Sequence, residues 1–279
     1  MKNNQQIIMA LTASVVALFS SNAVAQDNDM FTEEIVIPLS NPGQIGTLEV
    51  NQVYGGVKVI GYEGQEVIVT AMQKKMNSTK KMKNGLRKIE NNSMALSAEE
   101  SDNYIEIDAQ NLGRGKHKSM NLEIKVPRNF NLKLSGINNG YSLVENVNGE
   151  FEISNVNNDI TMNGVSGSAI VDTVNGEIKA SFDQVTPGSQ LVLTSFNGDV
   201  DLSLPADIKA DFKLRTTNGD IYTGFDIEFD TSEPVVEKDS SKKSYKVKLE
   251  KWVSGAANGG GAEVILKSHS GDLVVRAVD

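Results

Sequence analysis

Val171-Asp172-Thr173-Val174-Asn175-Gly176-Glu177-Ile178 decides the fold, because the same eight-residue phrase returns along the chain. Toward the N-terminus it recurs as Ile153-Ser-Asn-Val-Asn-Asn-Asp-Ile160 and Val144-Glu-Asn-Val-Asn-Gly-Glu-Phe151. Toward the C-terminus it recurs as Leu193-Thr-Ser-Phe-Asn-Gly-Asp-Val200, Leu214-Arg-Thr-Thr-Asn-Gly-Asp-Ile221 and Leu266-Lys-Ser-His-Ser-Gly-Asp-Leu273. The shared form is apolar, polar, small polar, variable but usually apolar, Asn or Ser, Gly or Asn, acid, apolar. Asn-Gly, Asn-Asn and Ser-Gly are turn dipeptides, since Gly and Asn accept positive φ at little cost. The acid keeps an exposed strand start charged. Alternating apolar residues around it, such as Phe151 with Ile153 and Ile160 with Met162, point to one face of a strand.

Gly140, Gly149, Asn158, Gly167 and Gly176 follow one another at intervals of nine residues, and so do Val147, Val156, Val165 and Val174. Nine residues make one short strand plus a turn, and two such units make 18. Later copies step by 22, 21 and 52 residues, and the last interval contains an insertion near 228–257. Asn-Gly turns can close antiparallel hairpins into a meander or sandwich. Alternatively, coils of about 18 to 22 residues stack as a parallel β-solenoid. Variable coil length favours the solenoid, because a loop can bulge from one corner while stacked strands keep register. Repeated Asn and acid positions then form ladders with a spacing of roughly 4.8 Å.

The rest of the chain also reads as β. Leu48-Glu-Val50, Val57-Lys-Val59, Val67-Ile-Val69, Tyr104-Ile-Glu-Ile107 and Leu122-Glu-Ile-Lys-Val126 alternate; only Thr79 to Ile89 carries any helical period. The first 25 residues read as a secretory leader: Lys2, an apolar run from Ile7 to Phe19, and a cleavage site at Ala23-Val-Ala25. That run is shorter than the roughly 20 residues a membrane span needs, and no second span follows in the mature chain. Cleavage leaves 26–279 as a single β-solenoid domain with a basic excursion near 73–90. The chain has no cysteine, hence no disulfide, thiolate metal site or lipidation cysteine. The formal charge is −9 with pI near 4.9, which excludes nucleic acid as a natural partner, because phosphate neutralisation supplies most of that affinity.

Three stretches together resemble a known group, the putative-adhesin β-strand-repeat (β-helix) family of mostly uncharacterised bacterial envelope proteins. They are Gly56 to Val67, Val126-Pro127 with the stepped turns through Gly176, and Asn258-Gly-Gly-Gly261 running into Ile265 to Leu273. The resemblance implies an all-β, right-handed parallel β-helix, exported and surface-associated. It implies no catalytic residues.

The repeated acids Asp159, Glu177, Asp199, Asp220 and Asp272 read as solvated carboxylates beside turns; the rival readings are a Ca²⁺ site or a polysaccharide acid pair. Lys74, Lys75, Lys80, Lys81, Lys83, Arg87 and Lys88 reverse the local charge and form a candidate patch for an anionic ligand. His117 and His269 have no Ser or Asp at motif spacing, and no G-x-S-x-G elbow, H-E-x-x-H or phosphate loop is present. Trp252, Tyr245 and Phe229 can stack on sugars, anchor an interface or cover the solenoid end. The pattern predicts a non-enzymatic, cofactor-free scaffold in the periplasm or on the cell surface, binding a protein or glycan on the envelope or a host surface. The competing readings are a polysaccharide-active β-helix enzyme and a periplasmic structural or signalling partner.

Overall fold

The computed structural model describes residues 30–74, 82–83, 86–87, 96–109, 119–138, 140–227, 235–236, 249–250 and 252–278. Strand formation follows the sequence period directly: in Gln190–Asn197, Leu191 and Leu193 are buried while Val192 and Thr194 point outward. Strand β1 (Met30–Pro38) precedes β2 (Gly46–Tyr54), β3 (Val57–Tyr62) and β4 (Glu66–Lys74). The two-residue β5 (Met82–Lys83) and β6 (Leu86–Arg87) come next, then β7 (Leu96–Ser101). Two-strand coils follow: β8 (Tyr104–Ala109) with β9 (Met120–Pro127), and β10 (Phe130–Asn138) with β11 (Ser142–Glu145). Then come β12 (Asn148–Asn155), the 16-residue β13 (Ile160–Asn175), β14 (Ile178–Val185), β15 (Gln190–Asn197) and β16 (Val200–Pro205). The chain ends with β17 (Ala210–Asn218), β18 (Ile221–Thr223), β19 (Val235–Val236), β20 (Leu249–Glu250), β21 (Val253–Ala257), β22 (Ala262–Ser270) and β23 (Leu273–Val278).

These strands form two parallel ladders around one apolar core. The first face runs β8-β2-β10-β12-β13-β15-β22-β17, each strand parallel to the next. The second runs β9-β3-β11-β13-β14-β16-β23-β18, again parallel. Strand β13 serves both, crossing between faces at the irregularity from Met162 to Ser166. Neighbouring copies therefore lie side by side in one direction, and the hairpin alternative fails. Inward residues Val50, Leu134, Ile153, Val171, Leu193, Leu266 and Leu214 stack as a buried file.

Two features depart from a simple coil. Stack order differs from chain order at both ends: β2 and β3 lie between later coils, and β22 and β23 insert between β15–β16 and β17–β18. The sheet is also mixed: β7 pairs antiparallel with β8, β4 with β9, β1 with β4, and β21 with β17. These strands cover ladder edges that would otherwise expose unpaired backbone. Met82–Lys83 pairs antiparallel with Leu86–Arg87, so the helical period near Thr79 to Ile89 does not make a helix there. The insertion holds the β19–β20 pair and returns as β21.

The repeated phrase is a corner from the first face to the second, and each place has a separate task. Its third place is a small polar residue facing inward. Thr173 donates to the Asn158 carbonyl at 3.2 Å, Ser195 to Gly176 and Ser268 to Gly198 at 3.0 Å, and Thr216 to Gly271 at 2.8 Å. At the fifth place, Asn197 donates to Asn175 at 2.9 Å, Asn175 to Asn157 at 3.0 Å, and Asn157 to Asn138 at 2.9 Å. The sixth place corrects the turn reading. Gly198, Gly219 and Gly271 have φ of +152°, +159° and +155°, but Gly176 has no positive φ, so conformational freedom is not a need common to all of them. A Cβ there would lie 2.2 Å from the Asn158 carbonyl oxygen, and one on Gly198 2.0 Å from that of Gly176. The glycines let adjacent coils approach. The copy beginning at Val144 lies out of this file, on the opposite edge: Val147 and Val165 are buried there, whereas Val156 and Val174 are exposed.

Glu100 fastens the first end. Its carboxylate accepts from Ser40 N at 3.0 Å, Ser40 Oγ at 2.8 Å and Asn103 N at 2.9 Å. Burial pushes this carboxyl up, but the Ser40 and Asn103 donors together outweigh it and hold Glu100 below its ordinary value. A depressed carboxyl stabilises the fold above its unfolded value and loses that contribution as pH falls through the folded one. The Ser40 and Asn103 amide shifts should therefore titrate with a midpoint below the ordinary glutamate value of about 4.3. A midpoint at or above it refutes the clasp, and Glu100→Gln should abolish the titration.

Candidate interaction surface

The outward residues of the first face fall into four straight files, because parallel register places equivalent positions side by side. The first file is polar: Tyr104, Thr47, Asn131, Glu150, Ser168, Gln190, Glu263 and Asp211, and its members from Thr47 to Gln190 line a shallow trough of ≈ 420 Å³. Glu106, Glu49, Lys133, Glu152, Ile170, Val192, Ile265 and Lys213 make the second. Asp108, Asn51, Ser135, Ser154, Asp172, Thr194, Lys267 and Arg215 make the third. Beside the corner, Val53, Ile137, Val156, Val174 and Phe196 form an exposed apolar file, with Phe196 53% exposed. His269 continues this file, its ring stacked on Phe196 with centroids 4.7 Å apart.

Charge is graded along the face. At the β8 and β2 end, the Tyr104 hydroxyl donates to Glu49. That carboxylate pushes Tyr104 up to about 12, while the Tyr104 and Asn51 donors hold Glu49 below its ordinary value. Burial, helped by the Glu152 carboxylate, pushes Asp172 up. At the β22 and β17 end, Lys213 pairs with Glu263 at 2.5 Å, and the Arg215 guanidinium lies 5.7 Å from the Trp252 ring centroid. The second and third files thus run from carboxylates to cations, while the first file carries Glu263 and Asp211 at the cationic end and an apolar rail lines the opposite edge.

The acids of the phrase sit beside the corner and do structural work that the solvated reading missed. Asp159 accepts from Glu177 N, Asp199 from Asp272 N, and Asp272 from Asp220 N, each at 2.8 Å. Each bond ties one coil to the next, so these carboxylates are occupied by backbone donors. Among the described residues no group of three metal-ligating side chains forms. Of the basic stretch, Lys74 ends β4 and Lys83 and Arg87 lie in β5 and β6; Lys75, Lys80, Lys81 and Lys88 lie outside the described residues, as do His117, Phe229 and Tyr245. The apolar file was missed as a surface, although the usually apolar fourth place of the phrase carried its signal.

The Toastrack DUF4097 family matches residues 144–276. This segment is similar to a Toastrack domain. The Toastrack match opens on the first residue of the first copy and closes just beyond the last, so the repeated phrase and the domain coincide. The fold is shared with a putative cell adhesion protein from Clostridium sporogenes ATCC 15579, at a TM-score of 0.50 and 15% identity, over 89% of this chain and 100% of that one. A putative adhesin from Bacteroides fragilis NCTC 9343 aligns at a TM-score of 0.39 and 11% identity, over 89% and 97% of the two chains. One from Parabacteroides merdae ATCC 43184 aligns at 0.30 and 9%, over 91% and 98%. These identities describe fold alone. No curated protein matches the chain. The Toastrack match covers the stretch of repeats that carries the β-strand-repeat resemblance. No helix among the described residues is long and apolar enough to cross a membrane.

Proposed function

We propose that the protein is an exported, non-catalytic, adhesin-like scaffold whose first face binds a protein or glycan on the envelope or a host surface. The reading includes removal of the leader after Ala25, a single domain over 26–279, and right-handed winding, the usual hand of parallel β crossovers. One observation carries it: a straight-ruled outer face with a polar trough along one edge and an exposed apolar file along the other, over many strands. Extended faces of stacked repeats are suited to binding elongated partners. The description of the Clostridium sporogenes neighbour as a putative cell adhesion protein points the same way. In this reading the stretch from Lys74 to Lys88 adds a contact for anionic groups.

Purified protein is expected to bind saturably to at least one of host matrix, a glycan panel or its own cell envelope. Ile170→Glu, on the outer surface beside the trough, should cut that binding at least about tenfold while leaving the fold intact. Protease shaving of intact cells should release the protein. Absence of saturable binding to all three surfaces overturns the scaffold reading; protection from shaving overturns surface exposure.

A further inference from the structure

We infer that a second copy of this chain covers the first face, forming a two-fold dimer whose axis runs along the strands between β12 and β13. This names one partner for the proposed binding face and rests on that face being used for binding, but not on export. The register decides the arrangement. Such an axis lays β12 over β13, β10 over β15, β2 over β22 and β8 over β17 of the other copy, with each file over itself.

In the apolar file Val156 then meets Val174, and Ile137 meets Phe196. At the ends, Glu106 faces Lys213 and Asp108 faces Arg215. Along all four files, no carboxylate directly faces a carboxylate and no cation a cation. A two-fold axis along the stack behaves differently. It sets the second file over the third, so that Glu106 opposes Asp108 and Lys213 opposes Arg215. Charge therefore selects the first arrangement. Isologous contact of this kind closes at two subunits.

The area is sufficient. Eight strands about 4.8 Å apart, with outward residues every 6.8 Å or so, make a face of roughly 900 Å². A stable interface typically buries about 800 Å² per partner. The apolar file supplies burial in the manner of an interface core, and the charged ends fix the orientation.

Sedimentation equilibrium on the protein recovered from producing cells tests this. The expected result is a monomer–dimer equilibrium with a Kd on the order of micromolar, as such areas allow. Phe196→Glu should weaken it at least about tenfold, and so should the pair Lys213→Glu with Arg215→Glu. Adding Glu106→Lys and Asp108→Arg to that pair should restore association, because the reversed charges again face each other. All changes are at outward positions, and circular dichroism checks that each variant folds. A protein that stays monomeric up to about 100 µM overturns the dimer, and so does a charge reversal that the compensating pair fails to rescue. A monomer that still binds a glycan or another protein through this face refutes the dimer and leaves the scaffold reading standing. A dimer that binds no external surface does the reverse.

Discussion

Gly176→Ala will destabilise the fold by about 3 kcal/mol, well beyond the cost of Gly188→Ala. The two glycines separate two explanations that the sequence merges. Gly176 lies at the Asn-Gly corner without a positive φ, and an added Cβ would sit 2.2 Å from the Asn158 carbonyl oxygen and 2.6 Å from its carbon. Backbone atoms cannot swing aside as a flexible side chain can, so the two coils must part. That separation also strains the Thr173 hydrogen bond to the same carbonyl at 3.2 Å and the Asn175 to Asn157 bond at 3.0 Å. Gly188 has φ +75 with nothing within 4 Å of the added Cβ. Its substitution adds only left-handed strain, about 1 kcal/mol. Urea unfolding of both variants measures the difference. Equal losses would mean that coil approach does not fix glycine at the corner.

That distinction marks how far the sequence could be read. The period of the phrase located the strands and turns, and its variable spacing favoured stacking over hairpins, because only a stack keeps register while loops change length. The Asn and acid ladders follow from that stacking once identical positions share a file. Three things stayed out of reach. The order of coils at the two ends depends on long-range pairing, such as Leu191 beside Val264, which no local pattern encodes. The antiparallel edge strands have the same alternation as the parallel ones. For the candidate surface, the usually apolar fourth place does not tell its own side: Val147 at one edge is buried, while Val156 and Val174 at the other are exposed. Only the three-dimensional edge tells these valines apart. The acids were recognised as surface groups, but their acceptance of the next coil's N–H required knowledge of the rise between coils.

Phe130→Ala should cost about 3–5 kcal/mol, the usual range for deleting a fully buried ring. The ring is 0% exposed at the start of β10, and a Cβ on Gly46 would lie 2.5 Å from its edge, so Gly46 is small because the ring needs that space. Phe130→Leu keeps much of the volume and should cost under about 1.5 kcal/mol. A loss below about 1 kcal/mol for the alanine variant would contradict tight packing at this position. The damage should also be regional, because stacked repeats draw stability from nearest neighbours. Hydrogen exchange should quicken in β2, β8 and β10 well before β15 and β22. Uniform quickening across the stack would instead mark one cooperative unit. The end arrangement sharpens the expectation: β2 and β3 are held between β8–β9 and β10–β11. The earliest coil in sequence therefore cannot peel away first. Fraying from this end must pass through the covering strands β7, β1 and β4 and then β8 and β9 before it reaches β2 and β3, and weakening β10 opens the other side of the same clamp.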